Sequence, residues 1–256
     1  MYRDPNVNSD VVSQTIYSSN VTLLNTNRHW ARIRTPDEYE GWTQRANLRK
    51  LGGQQYAVQG HVVRVSQLSA NLYREPDVTK HAPVLTIPWE SRLELLADEV
   101  PDNKRWLKVR LPDASEAFIQ AGDVSPDFAP LTIDQMILIA RKFLGVTYTW
   151  GGTSSFGFDC SGFTQMLERQ RSVIMPRDAD VQAKWSGGSE VQRKDLQPGD
   201  LLFFGRTAEH ITHTGMYIGN GEFIHDTTHE HPMVQISKLD DEPWAGLFVA
   251  ARRIKP

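Results

Sequence analysis

One cysteine stands in the 256 residues, Cys160, so thiol chemistry can be done only there and no disulfide can form within the chain. It sits in Phe158-Asp159-Cys160-Ser161-Gly162, where a glycine-bearing stretch (Gly151, Gly152, Gly157) runs into a segment of helical texture. A thiol in the first turn of a helix feels the partial positive charge of unpaired N–H groups, which favours thiolate and predicts a lowered pKa. The same donors face the place where an oxyanion would form on an attacked carbonyl. The plain alternative is a buried, inert cysteine packed as a small apolar residue.

Two histidines favour chemistry. His213 opens one strand-like run, and His225 lies on the next, across the hairpin signal Gly219-Asn220-Gly221. Pairing about that turn is expected to bring the two to opposite positions on adjacent strands. A nucleophilic thiol needs a base that can also protonate the leaving amine, and the base needs a partner that sets its tautomer. Cys160, His213 and His225 fit those three roles. The rival is a metal site, because His210, His213, His225, His229 and His231 crowd together in the sequence. On a strand, however, His210 and His213 point to opposite faces, His229 and His231 fall in a loop, and no cysteine pair or His-Glu-x-x-His helix joins them. No metal and no cofactor are expected.

The elements that must position these residues follow from periodicity and repetition. Ile133, Met136, Ile137, Ala140, Phe143 and Leu144 recur at helical spacing, with Thr132 as N-cap and Gly145 as stop. A second helix is expected over about 160–170, and strand-like runs follow at 201–204, 215–218, 222–225 and 247–252. Helices first and an antiparallel sheet after predict an α+β domain over residues 129–256. Upstream, Arg28-His-Trp-Ala-Arg-Ile-Arg reads like Lys104-Arg-Trp-Leu-Lys-Val-Arg. The same offset carries Pro36-Asp37 onto Pro112-Asp113 and Trp42-Thr43 onto Phe118-Ile119, while Tyr2-Arg-Asp-Pro-Asn-Val matches Tyr73-Arg-Glu-Pro-Asp-Val at a slightly shorter one. Two small all-β barrels are expected, over 1–52 and 53–128. The second has a preamble, His61-Val-Val-Arg-Val-Ser, that alternates like a strand and has no counterpart in the first, so the first barrel is expected to be short at its start.

Composition excludes several classes. Apolar residues make up 39% and charged residues 23%, which rules out a mostly disordered chain. The net charge of −3, with no basic excess in either half, excludes nucleic acid as the main partner. No apolar run approaches the ~20 residues of a membrane span, and no secretory signal follows Met1. As it stands the chain is expected to be cytoplasmic and monomeric, or periplasmic or extracellular if residues before Met1 have been removed.

The motifs together resemble the NlpC/p60 family of papain-like cell-wall cysteine peptidases. The resemblance is carried by Tyr148-Thr-Trp-Gly-Gly, Phe158-Asp-Cys-Ser-Gly-Phe, Leu196-Gln-Pro-Gly-Asp-Leu-Leu-Phe-Phe, His213-Thr-Gly-Met-Tyr-Ile-Gly and Phe223-Ile-His225, from about residue 131 onward. It implies Cys160 as nucleophile, His213 as base, His225 as the orienting third residue and Tyr148 as a helper of the oxyanion-binding amides. Tandem bacterial SH3-like barrels ahead of such a domain are similar to one branch, the γ-D-glutamyl–L-diamino acid endopeptidases. These act on murein peptides with a free N-terminal L-Ala, where the diamino acid is diaminopimelate or Lys.

That branch implies substrate-binding roles for Asp4, Tyr39, Asp159, Ser161, Arg177 and Asp178, with Asp4, Asp159 and Asp178 surrounding one ammonium. Read as residues alone, Tyr39 is a loop tyrosine and Asp178 a cap for a helix over 179–185. Tyr39 aligns with Ser115 in the repeat, so the ring is not a requirement of the barrel. Ser115-Glu-Ala-Phe also departs from the family's Tyr-x-Gly-Trp, which is consistent with a second barrel that acts only as a spacer and leaves its role open. Two other functions share these features: hydrolysis of intact cell wall with the barrels as anchors, and wall binding without catalysis.

Overall fold

The computed structural model describes residues 1–97, 104–126 and 128–255. Two compact units emerge. One holds Met1–Asp10, Thr15–Thr35 and Glu40–Phe128; the other holds Val11–Gln14, Pro36–Tyr39 and Ala129–Pro256. The two repeat copies therefore share one unit, each with its own sheet.

In the first copy, β1 (Thr22–Asn27), β2 (Trp30–Arg34) and β3 (Glu40–Gln44) form an antiparallel meander. The second copy contains β4 (Val62–Val65), β5 (Ser69–Tyr73), β6 (Leu85–Pro88), β7 (Arg92–Ala97), β8 (Trp106–Arg110), β9 (Glu116–Gln120) and β10 (Val124–Ser125). These run in the order β10-β4-β7-β8-β9-β5-β6. The repeat read from the sequence is visible pair by pair. Ile33 faces Gly41 as Val109 faces Ala117, and Tyr2 bridges Trp42 as Tyr73 pairs with Phe118. Even the ring contacts recur: Tyr2 meets Trp30 edge-on at 5.5 Å, and Tyr73 meets Trp106 at 5.3 Å. The alternating preamble is β4, whose Val63 and Val65 enter a core with Leu72, Ile87, Leu93, Val109 and Ile119.

The other unit is α+β, as its element order predicts. Helix α1 (Ile133–Lys142) starts at Thr132, which accepts from the Gln135 amide while Gln135 Oε1 accepts from the Thr132 amide. This reciprocal cap satisfies two otherwise orphaned N–H groups. A short hairpin, β11 (Thr153–Ser154) and β12 (Gly157–Phe158), leads into α2 (Cys160–Arg169); α3 (Ala179–Lys184) follows. The six-stranded sheet comprises β13 (Gly188–Glu190), β14 (Leu201–Thr207), β15 (His210–Gly219), β16 (Glu222–Thr227), β17 (Met233–Lys238) and β18 (Phe248–Ile254), the last preceded by the single turn α4 (Trp244–Leu247). Its order is β13-β18-β14-β15-β16-β17.

Helix α2 packs on β15 and β16 and is buried from Cys160 through Glu168, so it is the central pillar of the unit. Phe143, Phe158 and Phe163 lock α1, the hairpin and α2 through edge-on ring contacts. No helix among the described residues is long and apolar enough to cross a membrane.

Candidate active site

Cys160 is the first residue of α2, and Asp159 is its N-cap, accepting from the Gly162 amide at 2.8 Å. Gly162 is glycine for a steric reason: any side chain there would collide with the Gly152 carbonyl, against which the first turn packs. The Cys160 thiol is buried, with the Thr214 and Ser161 amides directed at the sulfur. Burial pushes it up to about 12, helped by the adjacent Asp159 charge; those amides and Arg177 only partly oppose it. The direction is opposite to the one expected from the helix-start position alone. Desolvating a thiolate costs more here than one helix terminus returns.

His213, on β15 next to Thr214, bonds through Nε2 to Nδ1 of His225 at 2.8 Å. The register pairs Met216 with Ile224 and Tyr217 with Phe223. Carried one step further it sets Gly215 across from His225, so His213 is the diagonal neighbour of His225 on the same face, not its opposite. A Cβ on Gly215 would stand 2.9 Å from that of His225, so the absence of a side chain there lets the two rings meet. Trp244, at the start of α4, touches both, with ring centroids at 5.1 Å from His213 and 4.7 Å from His225. Burial pushes His213 down to about 3 and holds His225 well below the ordinary histidine range. Burial thus favours the neutral thiol at Cys160 and the neutral imidazole at His213. Tyr148 is close enough to feel a charge at Cys160, and burial together with that charge and Asp159 raises its pKa, so it remains a phenol that can donate.

Arg177 is 2% exposed and organises the neighbouring polar cluster. It donates to Asp159 Oδ1 at 3.0 Å and Oδ2 at 2.6 Å, to Ser161 Oγ at 2.9 Å and to Ser13 Oγ at 3.1 Å. Asp159 also accepts from the Gly151 amide at 3.0 Å and from the Ser161 hydroxyl at 3.3 Å. Both its oxygens are thus taken by protein donors, a role as cap and counter-ion that sequence reasoning did not assign.

Asp178 occupies the N-cap position of α3, but its side chain makes no cap bond. It accepts instead from the Tyr39 hydroxyl, whose pKa is raised by burial and by Asp178, while burial raises that of Asp178. Tyr39 and Asp178 line a pocket of ≈ 160 Å³ with Asp37, Glu38, Pro176, Arg177 and Val181. Glu38 holds a left-handed φ of 63°, a costly conformation for a side-chain-bearing residue, one step before Tyr39. Asp37 accepts from Gln165 of α2 at 2.8 Å, which ties this loop to the helix. Asp37 and Glu38 went unnoticed in the sequence because nothing local marks a pocket wall. Asp4 belongs to the other unit, where its amide donates to Ser9 Oγ at 3.0 Å and its carboxylate accepts from the same hydroxyl at 3.1 Å.

Comparison with known proteins gives a consistent picture. Residues 145–253 match the NlpC/P60 family, and residues 1–48 match the bacterial dipeptidyl-peptidase SH3 domain. The chain is similar to a Bacillus cereus protein named gamma-D-glutamyl-L-lysine dipeptidyl-peptidase, at 30% identity over 95% of this chain and 75% of that one. A Bacillus subtilis protein of the same name is 31% identical over 84% of this chain and 72% of its own length. The crystal structure of an NlpC/P60 family protein from Bacillus cereus matches with a TM-score of 0.82 and 29% identity, covering 96% of this chain and 82% of that one.

Proposed function

Because the chain belongs to the NlpC/P60 family of peptidases, we propose that it is a cysteine endopeptidase that cuts the γ-D-glutamyl–L-diamino acid bond of murein peptides bearing a free N-terminal L-Ala. The observation that carries this reading is the pocket in which Asp178 forgoes capping its helix and meets Tyr39 instead. Three carboxylates line that pocket, from Asp37, Glu38 and Asp178, and the one cation on its wall, Arg177, is already matched by Asp159. A pocket of this charge, small and partly desolvated, suits an ammonium. Ser161 and Asp159 serve it by fixing Arg177.

The chemistry runs through Cys160, His213 and His225. With Nε2 of His213 engaged by His225, Nδ1 takes the thiol proton as sulfur attacks the γ-carbonyl carbon. Tyr148 and the amides at the start of α2 receive the oxyanion. The tetrahedral species collapses as the C–N bond breaks and His213 returns its proton to the leaving α-amine of the diamino acid, leaving a thioester. Water then gives a proton to His213 and adds to the thioester, the C–S bond breaks, and the thiolate takes the proton back.

The test compares kcat/KM on L-Ala-γ-D-Glu-diaminopimelate or its lysine counterpart with the N-acetylated peptide. The pocket carboxylates are at most partly buried, so losing their charge-assisted contacts to the ammonium costs about 1.5–3 kcal/mol, which lowers kcat/KM by roughly tenfold or more at ~1.4 kcal/mol per decade. Tyr39→Phe and Asp178→Asn should narrow the gap, Asp178→Asn the more strongly. Equal wild-type rates on the two peptides would mean that the amine is not read, and would leave hydrolysis of intact wall as the better reading.

A further inference from the structure

The ring of His225 is bonded on both sides, and its outer partner has no role in the account above. Nε2 of His225 lies 3.0 Å from the hydroxyl oxygen of Ser237 on β17, while Nδ1 lies 2.8 Å from Nε2 of His213. Ser237 pairs across the sheet with Phe223, whose ring packs against His225, so the hydroxyl reaches the imidazole from the diagonal position on the same face. Resting on the reading of Cys160, His213 and His225 as nucleophile, base and orienting residue, we propose that Ser237 is a fourth, positioning member of the chain, which selects the tautomer of His225 and through it leaves His213 able to act as a base.

Proton placement along these two hydrogen bonds decides what His213 can do. Only two self-consistent arrangements of neutral rings exist. In one, Ser237 accepts from Nε2–H of His225, so Nδ1 of His225 is a bare acceptor, Nε2–H of His213 donates to it, and Nδ1 of His213 carries a lone pair. In the other, Ser237 donates to Nε2, His225 donates through Nδ1–H, and Nδ1 of His213 is already protonated and cannot take a proton from sulfur. Reactivity requires the first. Ser237 is only partly buried, so its own hydrogen can turn to water while a lone pair accepts. His225 is fully buried, so its N–H finds no solvent to replace that acceptor. When His213 becomes imidazolium during attack, the same chain of donors points away from it and spreads the new charge.

The substitutions that isolate the hydroxyl are Ser237→Thr and Ser237→Val, which have nearly the same shape and differ in the oxygen; Ser237→Ala completes the set. The readouts are steady-state kinetics on the free tripeptide and 15N NMR of histidine-labelled chain, with the His225 signal assigned by its loss in His225→Gln. Ser237→Val and Ser237→Ala are expected to lower kcat by about tenfold, ~1.4 kcal/mol, with KM unchanged, and to shift His225 away from the Nε2–H tautomer. Ser237→Thr is expected to keep both the rate and the tautomer. A His225 that stays fully in the Nε2–H form in Ser237→Val and Ser237→Ala would overturn the proposal, whatever the rates. Turnover near the wild-type rate in Cys160→Ser or His213→Ala would instead sink the cysteine-peptidase reading, and the tautomer measurement would still decide the part of Ser237.

Discussion

With the Cys160 thiol pushed up to about 12 and the His213 imidazole down to about 3, the proposed mechanism has proton transfer accompany attack on the substrate and not precede it. Iodoacetamide labelling of Cys160 in the resting chain should accordingly be slow near pH 6 and climb through pH ~9, past the ordinary thiol value of about 8.5. A rate already level at about pH 6 would mean a standing thiolate–imidazolium pair. Removing the base should cost more than removing its orienter. His213→Ala is expected to lose about 10²–10⁴-fold in kcat, whereas His225→Ala should retain measurable turnover, because it sets a tautomer and carries no proton to substrate. Equal losses, with unchanged circular dichroism, would require the two roles to be reassigned. The candidates themselves, Cys160, His213 and His225, are proposed from the sequence because few residue types do this chemistry and their motifs are local. The sign of the thiol shift was not legible there, since it depends on how completely α2 is enclosed by β15 and β16, a property of packing and not of position in a helix.

The elements that carry the site divide the same way. The Thr132 cap, the start of α2, the turn around Asn220 and the repeated strand pairs are written in short-range signals, and the structure places all of them where those signals stand. The polar cluster under the site is not, because it joins segments far apart in the chain: Arg177 meets Ser13, Gly152, Asp159 and Ser161. Asp178 kept two readings in the sequence for the same reason, since the residue before a helix reads as a cap until a distant tyrosine claims it. This assigns the two neighbours opposite behaviour. Arg177→Ala leaves Asp159 charged, buried and capping a loosened helix start, and should destabilise the chain by about 3–5 kcal/mol in denaturant unfolding. Asp178→Asn removes no cap bond and should shift stability by less than ~0.5 kcal/mol while impairing recognition of the free amine. A comparable loss of stability in Asp178→Asn would return it to a capping role.

At the scale of the molecule, the buried ionisable groups set a pH dependence whose limbs come from different residues. Asp226 on β16 is fully buried and pushed up to about 8, first by burial and then by Asp159, with the Phe158 and Thr227 amides pulling the other way. Glu168 in α2, also fully buried, is pushed up to about 7 by burial although Arg171 lies 2.9 Å away. Each keeps its proton in the folded state after the unfolded chain has lost it, so the stability they lend is whole below pH ~4 and drains away as pH rises to their folded values. His213 and His225 act in the opposite sense. They are held neutral in the fold, so stability is whole above the unfolded value of about 6.5 and is lost as pH falls below it. The two trends oppose each other between about pH 4 and 6.5, and only the carboxyl limb remains above that. Maximum stability is therefore expected on the acid side of neutrality, with a decline from about pH 6.5 to 8. Asp226→Asn, which mimics the protonated acid in size and neutrality, should flatten that decline. The gain can reach ~4 kcal/mol at pH 7, at ~1.36 kcal/mol per unit, and should vanish near pH 4. Urea unfolding of wild type and variant across this range measures it. A variant gain that is the same at pH ~4 and pH ~8 would show that Asp226 does not hold its proton in the fold.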